Sequence, residues 1–230
     1  MERQYYKSIF AFLDLLGVKE YIKKDNGEFL KKLGNIYDST LRIYKPICQT
    51  QHKPNIQAKI FSDNIVFECK VENGDGFQEF MEVAFITAVF QEELFRNNLL
   101  LRGSITIGDS FLDDVFVFGK ALSEAYLLES KIALYPRVII SKELKNIVLP
   151  NITNTSAAAY MCVEDKDGEH YVDYLSSSGK SNNSRIPIIL EAIEYNNNEL
   201  KREDYDSKTK QKLLWHNDYM QRKLNQFQNK

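Results

Sequence analysis

The apolar residues of this chain fall into short unbroken runs and longer helically spaced stretches that take turns along the sequence. Residues 7–14 read as a buried strand, rich in aromatic and aliphatic side chains from Ile9 to Leu13. Gly17 closes it, and helical spacing follows over residues 18–47 with a break at Asp25-Asn26-Gly27. Residues 56–62 and 65–71 are strand-like with only Asp63-Asn64 between them, a hairpin signal with Asp63 at its tip. Residues 77–97 predict an amphipathic helix with Phe77, Phe80, Met81, Ala84, Phe85, Ala88 and Val89 on one face. Residues 99–108 predict a strand, Gly108-Asp109 a turn, and residues 111–118 a second short strand. Helical spacing returns over 119–131 through Ala121, Leu122, Ala125 and Leu128. Residues 137–141 form a further strand, Ser141 caps a short helix opening at Lys142-Glu143, and residues 170–175 read as a late strand.

The order β-α-β-β-α-β, followed by α-β, predicts an α+β fold of the ferredoxin-like split βαβ kind. Residues 151–155 and 176–184 read as loops, and the second, rich in Ser, Asn and Gly, marks the expected end of the compact domain. The expected division is a domain over residues 1–180 and a helical C-terminal extension over 181–230. The apolar members of that extension (Leu213, Leu214, Trp215, Tyr219 and Leu224) suit packing on the domain or on a second subunit.

Composition narrows the class. A chain of 230 residues with 43% hydrophobic content supports one substantial core. Its formal charge is -2 with acids and bases mixed, which disfavours a nucleic-acid partner. Cys48, Cys69 and Cys162 have neither zinc-site nor disulfide-framework spacing, and a reducing cytoplasm fits them best. The charged N-terminus does not suit a signal peptide, and the apolar segment 83–90, flanked by Glu82 and Glu92, is too short for a membrane span. His52, His170 and His216 belong to no recognisable motif, and Ser104 sits in no nucleophile elbow.

Asp14 and Asp63 stand out against this background. Each interrupts a run of strand-forming apolar residues, where a carboxylate is costly to desolvate without a partner. They are either solvated turn acids or a pair sharing a divalent cation, with oxygen ligands suited to magnesium or manganese.

Four segments carry a resemblance to class III nucleotide cyclases, spanning residues 8–175. Phe12-Leu13-Asp14-Leu15-Leu16-Gly17 resembles the family's first metal motif, and Lys59-Ile60-Phe61-Ser62-Asp63 its second, where the family has Gly before Asp. Leu101-Arg102-Gly103-Ser104-Ile105-Thr106-Ile107-Gly108 resembles the strand that follows, and residues 119–130 the helix carrying catalytic polar residues. The segments fall in the family's order, with Asp63 lying 49 positions after Asp14. The helix departs from the adenylate cyclase pattern: Ser123 and Leu127 stand where an Asn and an Arg are expected, and Phe116 replaces the adenine-selecting Asp. With its polar helical tail, the chain is most similar to the bacterial pyrimidine cyclases of the Pycsar antiphage system.

The resemblance implies a cyclase catalytic domain that converts UTP or CTP into the 3′,5′-cyclic nucleotide, with UTP favoured; the alternatives are an adenylate or guanylate cyclase and a catalytically dead nucleotide-binding regulatory module. It implies two Mn2+ or Mg2+ ions bridged by Asp14 and Asp63, the backbone carbonyl of Leu15 adding an oxygen. It also implies a head-to-tail homodimer and a downstream effector activated by the product. Gly17 is then the bend that brings backbone close to the phosphates at a helix start. Arg102 is either the replacement phosphate ligand or a surface strand arginine paired with Glu93 or a neighbour. Lys120 is a candidate for the triphosphate, Ser123 for the ribose, Lys59 for a base carbonyl, and Phe12 and Phe116 for the walls of a small base pocket. Glu124 and Glu129 are expected on the solvated or interface side of their helix.

Overall fold

The computed structural model describes residues 3–24, 26–48, 56–152, 158–178 and 181–229. Cys48 beyond its backbone, His52 and residues 153–155 of the expected loop lie outside this description. The first elements are β1 (Tyr6–Leu16), α1 (Lys19–Lys24), α2 (Glu28–Cys48), β2 (Ile56–Phe61), β3 (Asn64–Lys70) and α3 (Phe77–Phe95). Next come β4 (Leu100–Leu112), β5 (Val117–Gly119), α4 (Lys120–Lys131), β6 (Val138–Ile140) and α5 (Lys142–Val148). The rest are α6 (Ala158–Met161), β7 (Val163–Glu164), β8 (His170–Tyr171), α7 (Tyr174–Ser177), α8 (Asn182–Glu199) and α9 (Ser207–Gln228). The chain divides into two compact units: Met1–Ala133 with Arg137–Ser178, and Leu134–Pro136 with Gly179–Lys230.

The first unit is the expected α+β fold. Its sheet runs β2-β3-β1-β4-β6-β8-β7, with β5 folded back on β4. β1 pairs antiparallel with β3 on one side and with β4 on the other, and β6 joins β4 in parallel. Both faces of β1 are covered, which is why the apolar run shows no polar alternation. Phe10 and Phe12 pack with Ala121 and Ala125 of α4. On the opposite face Phe67, which pairs with Ala11, meets Phe90 of α3 edge-on with ring centroids 5.6 Å apart. Burial is continuous from Ser8 to Leu13 and relaxes at Asp14.

Several expected elements are corrected. No turn occurs at Gly108-Asp109; β4 runs through it, with Asp109 opposite Lys7. A Cβ on Gly108 would stand in ordinary contact with Ala121, 3.5 Å from its backbone nitrogen, so neither a turn nor crowding requires glycine here. The strand expected over 111–118 is broken by a turn in which Asp113 Oδ1 accepts from the N–H groups of Val115 and Phe116, each at 2.7 Å. The late strand stops at Tyr171, and Tyr174–Ser177 is helical. α8 begins inside the expected second loop. α3 is buried nearly all round from Ile86 to Phe95 rather than along one stripe; its Glu92 is neutralised by Arg96 at 2.7 Å.

In the second unit α8 and α9 run antiparallel. Asn196 Nδ2 donates to His216 Nδ1 at 3.0 Å, and the Arg185 guanidinium lies 5.7 Å from the centre of the Phe227 ring. Tyr135, Trp215 and Tyr219 stack in series, with centroid spacings of 5.9 and 5.5 Å. His216 is 2% exposed, and burial pulls its pKa from 6.5 down to about 4. Between those values the unfolded chain binds the proton more tightly. The stability of this hairpin is therefore complete above pH 6.5 and drains away as pH falls toward 4, by about 3 kcal/mol. Trp215, the single tryptophan of the chain, makes this measurable: urea midpoints followed by its emission should fall between pH 7 and pH 4.5, and His216→Phe should flatten that fall.

Candidate active site

Asp14 stands near the end of β1 with Asn64 of β3 on one side and Arg102 of β4 on the other. The two-residue turn Ser62-Asp63 joins β2 to β3, and Leu15 N–H donates to the Asp63 carbonyl at 2.9 Å, so the turn is tied to β1 just past Asp14. Asn64 Nδ2 donates to Asp63 Oδ1 at 3.1 Å and orients that carboxylate. Asp14 feels the charge of Asp63. Burial pushes the Asp14 carboxyl above its ordinary pKa, the Asp63 charge adds to that, and Arg102 and Lys19 work against it.

Ser62 carries the turn with φ +58, where the resembled motif has glycine. A left-handed L-residue is strained, because its Cβ crowds the following carbonyl oxygen. Ser62→Gly should relieve this and stabilise the domain by about 0.5–1 kcal/mol, read as a higher urea midpoint. Gly17 ends β1 with φ +74 and open space around it, so backbone conformation alone demands a glycine. The helix that follows, α1, has only six residues. From this helix Lys19 adds positive charge near Asp14 to that of Arg102, and a helix of this length adds little dipole.

Arg102 reaches its place because β4 crowds β1. A Cβ on the neighbouring Gly103 would stand 2.4 Å from the Phe12 carbonyl oxygen. Arg102 Nε donates to Asp14 Oδ2 at 3.1 Å, and Glu129 Oε1 stands 2.6 Å from the same nitrogen. Its partners are thus Asp14 and Glu129, not the Glu93 weighed from sequence. Both contacts use Nε, so the terminal Nη fork makes no hydrogen bond among the described residues. Glu129 overturns the expectation of a solvated or interface position: it is 4% exposed. Its signal was present in the sequence. Ala121, Ala125 and Glu129 recur every four residues on one face of α4, and that face lies on β4, where Thr106 and Ser104 hydroxyls donate to the Ala121 and Ala125 carbonyls.

The other expected site residues lie in two further places. Lys59 Nζ donates to the Asp114 carbonyl at 3.0 Å, which ties it to the β4–β5 turn. Phe116 on that turn is 45% exposed, with the Arg3 guanidinium 4.7 Å from its ring centre. Phe12 is 5% exposed and meets Tyr126 edge-on at 5.8 Å inside the core beneath α4. Lys120 and Ser123 line a groove of about 750 Å3 on the outer side of α4, together with Tyr5, Asp109, Phe118 and Leu127. The Ser123 hydroxyl donates back to the Gly119 carbonyl at 3.3 Å.

The residues at the sheet end fit a hard divalent cation. Among the described residues no group of three or more His, Cys, Asp or Glu side chains gathers as a metal cage. Asp14 and Asp63 could instead hold such an ion jointly with substrate phosphates, the way magnesium is commonly bound. Among the described residues no helix is long and apolar enough to cross a membrane.

No family profile matches the chain, and no curated protein matches it. Solved structures do. The dimeric guanylyl cyclase domain of the RhoGC fusion protein from the aquatic fungus Blastocladiella emersonii is 12% identical, with a TM-score of 0.50 over 74% of this chain and 95% of that one. The adenylate/guanylate cyclase/hydrolase from Silicibacter pomeroyi is 16% identical, with a TM-score of 0.46 over 74% of this chain and 96% of that one. At these identities the likeness is one of fold: the chain has the fold of adenylyl/guanylyl cyclase catalytic domains.

Proposed function

We propose that this chain is a nucleotide cyclase acting on a pyrimidine nucleoside triphosphate, UTP in preference to CTP. The ribose 3′-oxygen attacks its own α-phosphorus, the bond to the β-phosphate oxygen breaks, and cyclic UMP, pyrophosphate and a proton result. The observation that carries this reading is the meeting of Asp14, Asp63 and Arg102 at one end of the sheet. An acid pair beside a guanidinium with a free Nη fork is what phosphoryl transfer asks of a protein, which is positioning plus charge stabilisation.

Asp14 and Asp63, with the Leu15 carbonyl, would hold two divalent ions, Mn2+ or Mg2+. Such ions supply Lewis-acid activation of the attacking oxygen and charge neutralisation on the leaving phosphates. Arg102 would direct its Nη fork at a phosphate oxygen, and Gly17 would let the backbone approach the phosphates. The pyrimidine assignment rests on Phe116 in place of an adenine-selecting acid and on the Ser123 and Leu127 departures. Lys59 would accordingly serve a base carbonyl.

In the groove along α4, Tyr5, Phe118 and Leu127 are 60%, 62% and 48% exposed. A head-to-tail homodimer would cover this surface and bring Lys120 and Ser123 of one protomer to the acids of the other, with Phe12 packing behind. In this reading residues 1–180 are the catalytic domain, 181–230 the helical extension, and the protein works in the cytoplasm. Its product would activate a cyclic-nucleotide-dependent effector in antiphage defence.

The test is incubation of the purified protein with UTP, CTP, ATP and GTP separately, with Mn2+ or Mg2+, and products resolved by mass. Cyclic UMP as the main product supports the full reading, and cyclic CMP shifts the base. Cyclic AMP or GMP removes the pyrimidine assignment. Binding of nucleotide with no product would favour a regulatory module on the same scaffold, the reading that Leu127 in place of a transition-state arginine favours.

A further inference from the structure

Arg102 has one Nε–H and two carboxylates within reach of it. The proton is aimed at Asp14 Oδ2 at 3.1 Å, while Glu129 Oε1 lies closer to the nitrogen, at 2.6 Å. Asp14 is the acid assigned above to divalent ions, and it cannot give the same oxygen fully to a cation and to a guanidinium. A cation taken at Asp14 Oδ2 would displace Arg102. A guanidinium set loose at the rim of a sheet would lose both its partner and its aim.

Glu129 is placed to prevent that. It is 4% exposed, and it comes from a helix fixed to β4 by the Ser104 and Thr106 hydroxyls at 2.8 and 3.1 Å. We propose that Glu129 is a positioning residue that takes over the Arg102 Nε–H when Asp14 turns to a divalent cation. The hand-over keeps Arg102 neutralised and leaves its Nη fork available for phosphate. It rests on the reading of Asp14 and Asp63 as cation ligands and adds a residue from α4 to that site. A carboxylate serving only as a structural ion pair, or only as one more negative charge near the cation, would behave differently in the following experiment.

The measurement is Mn2+ affinity of the full chain without nucleotide, from depletion of the free Mn2+ paramagnetic resonance signal, alongside thermal melts. Glu129→Gln should weaken Mn2+ binding about tenfold, because Arg102 then clings to Asp14 alone. In the Arg102→Gln background the same substitution should change affinity by less than about threefold, since no arginine remains to be received. Equal losses in both backgrounds would mean that Glu129 acts merely as a charge, and no loss in either would make it structural; each outcome overturns the proposal. Glu129→Asp keeps the charge and withdraws the reach by one methylene. It should bind Mn2+ as poorly as Glu129→Gln, and wild-type affinity in this variant would again sink the idea, even if Glu129→Gln fails to fold. Asp63→Asn separates the two levels. Mn2+ binding untouched by it removes the cation reading together with this inference, whereas binding lost in Asp63→Asn but unchanged in the Glu129 variants removes the inference alone.

Discussion

Asparagine in place of Asp14 is expected to cut metal-dependent cyclisation by about 10³-fold or more, about 4 kcal/mol in the barrier. Asp63→Asn should match it, because the two acids hold the same ions. The stability effect of Asp14→Asn runs the other way. Burial first, and then Asp63, hold the Asp14 carboxyl above its ordinary pKa despite Arg102 and Lys19. The folded chain therefore binds that proton more tightly than the unfolded chain, and the ionised form at neutral pH works against folding. Asparagine is neutral at every pH, so the melting temperature should hold or rise while activity disappears, a stability–function trade-off. Steady-state product formation and thermal melts on the same preparation check both halves. An Asp14→Asn protein that melts several degrees lower would mark the carboxylate as structural, and one that turns over normally would remove it from the site.

Arg102→Gln should lower turnover by about 10²–10³-fold, with Arg102→Lys falling between it and the parent, since lysine keeps the charge but not the fork. Here stability moves with activity. Glu129 would keep its buried place beside β4 without its guanidinium. Breaking a fully buried pair costs about 3–5 kcal/mol, and the partly exposed head of Arg102 brings the expected loss to about 2 kcal/mol. The neighbouring residues Asp14 and Arg102 are thus predicted to differ in the sign of their stability effects while agreeing in their effect on rate. Denaturant midpoints of the two single variants provide the comparison. Equal and opposite shifts are not required; a stabilised Arg102→Gln protein would show that the ion pair with Glu129 contributes nothing.

How far the sequence could be read depended on whether a residue's partner was local. The hairpin at Ser62-Asp63 is a two-residue turn between matched strands, and the pattern carried it to within one residue. The break between α1 and α2 follows from Gly27, at φ +97, in the same way. The turn expected at Gly108 failed because glycine only permits a turn; pairing with β1 through Ser8 and Lys7 keeps β4 extended across Gly108-Asp109. Glu129 was misplaced for a related reason. Charge alone suggests solvent, and burial was decided by Arg102, a residue 27 positions earlier on another element.

The sequence by itself determined the order of elements, the two strand-end aspartates and Gly17 closing β1, because apolar spacing and backbone conformation are written locally. Tertiary structure alone decided which side chains meet. Strand register set Arg102 opposite Asp14, the hairpin's hydrogen bond to Leu15 brought Asp63 in from the adjoining turn, and helix packing delivered Glu129 from α4. Phe12 shows the same rule from the other side. It is an aromatic two residues before Asp14 and so on the same face of β1, yet the packing of α4 leaves it in the core. Distances between charges follow from pairing between distant segments, and no single segment contains them.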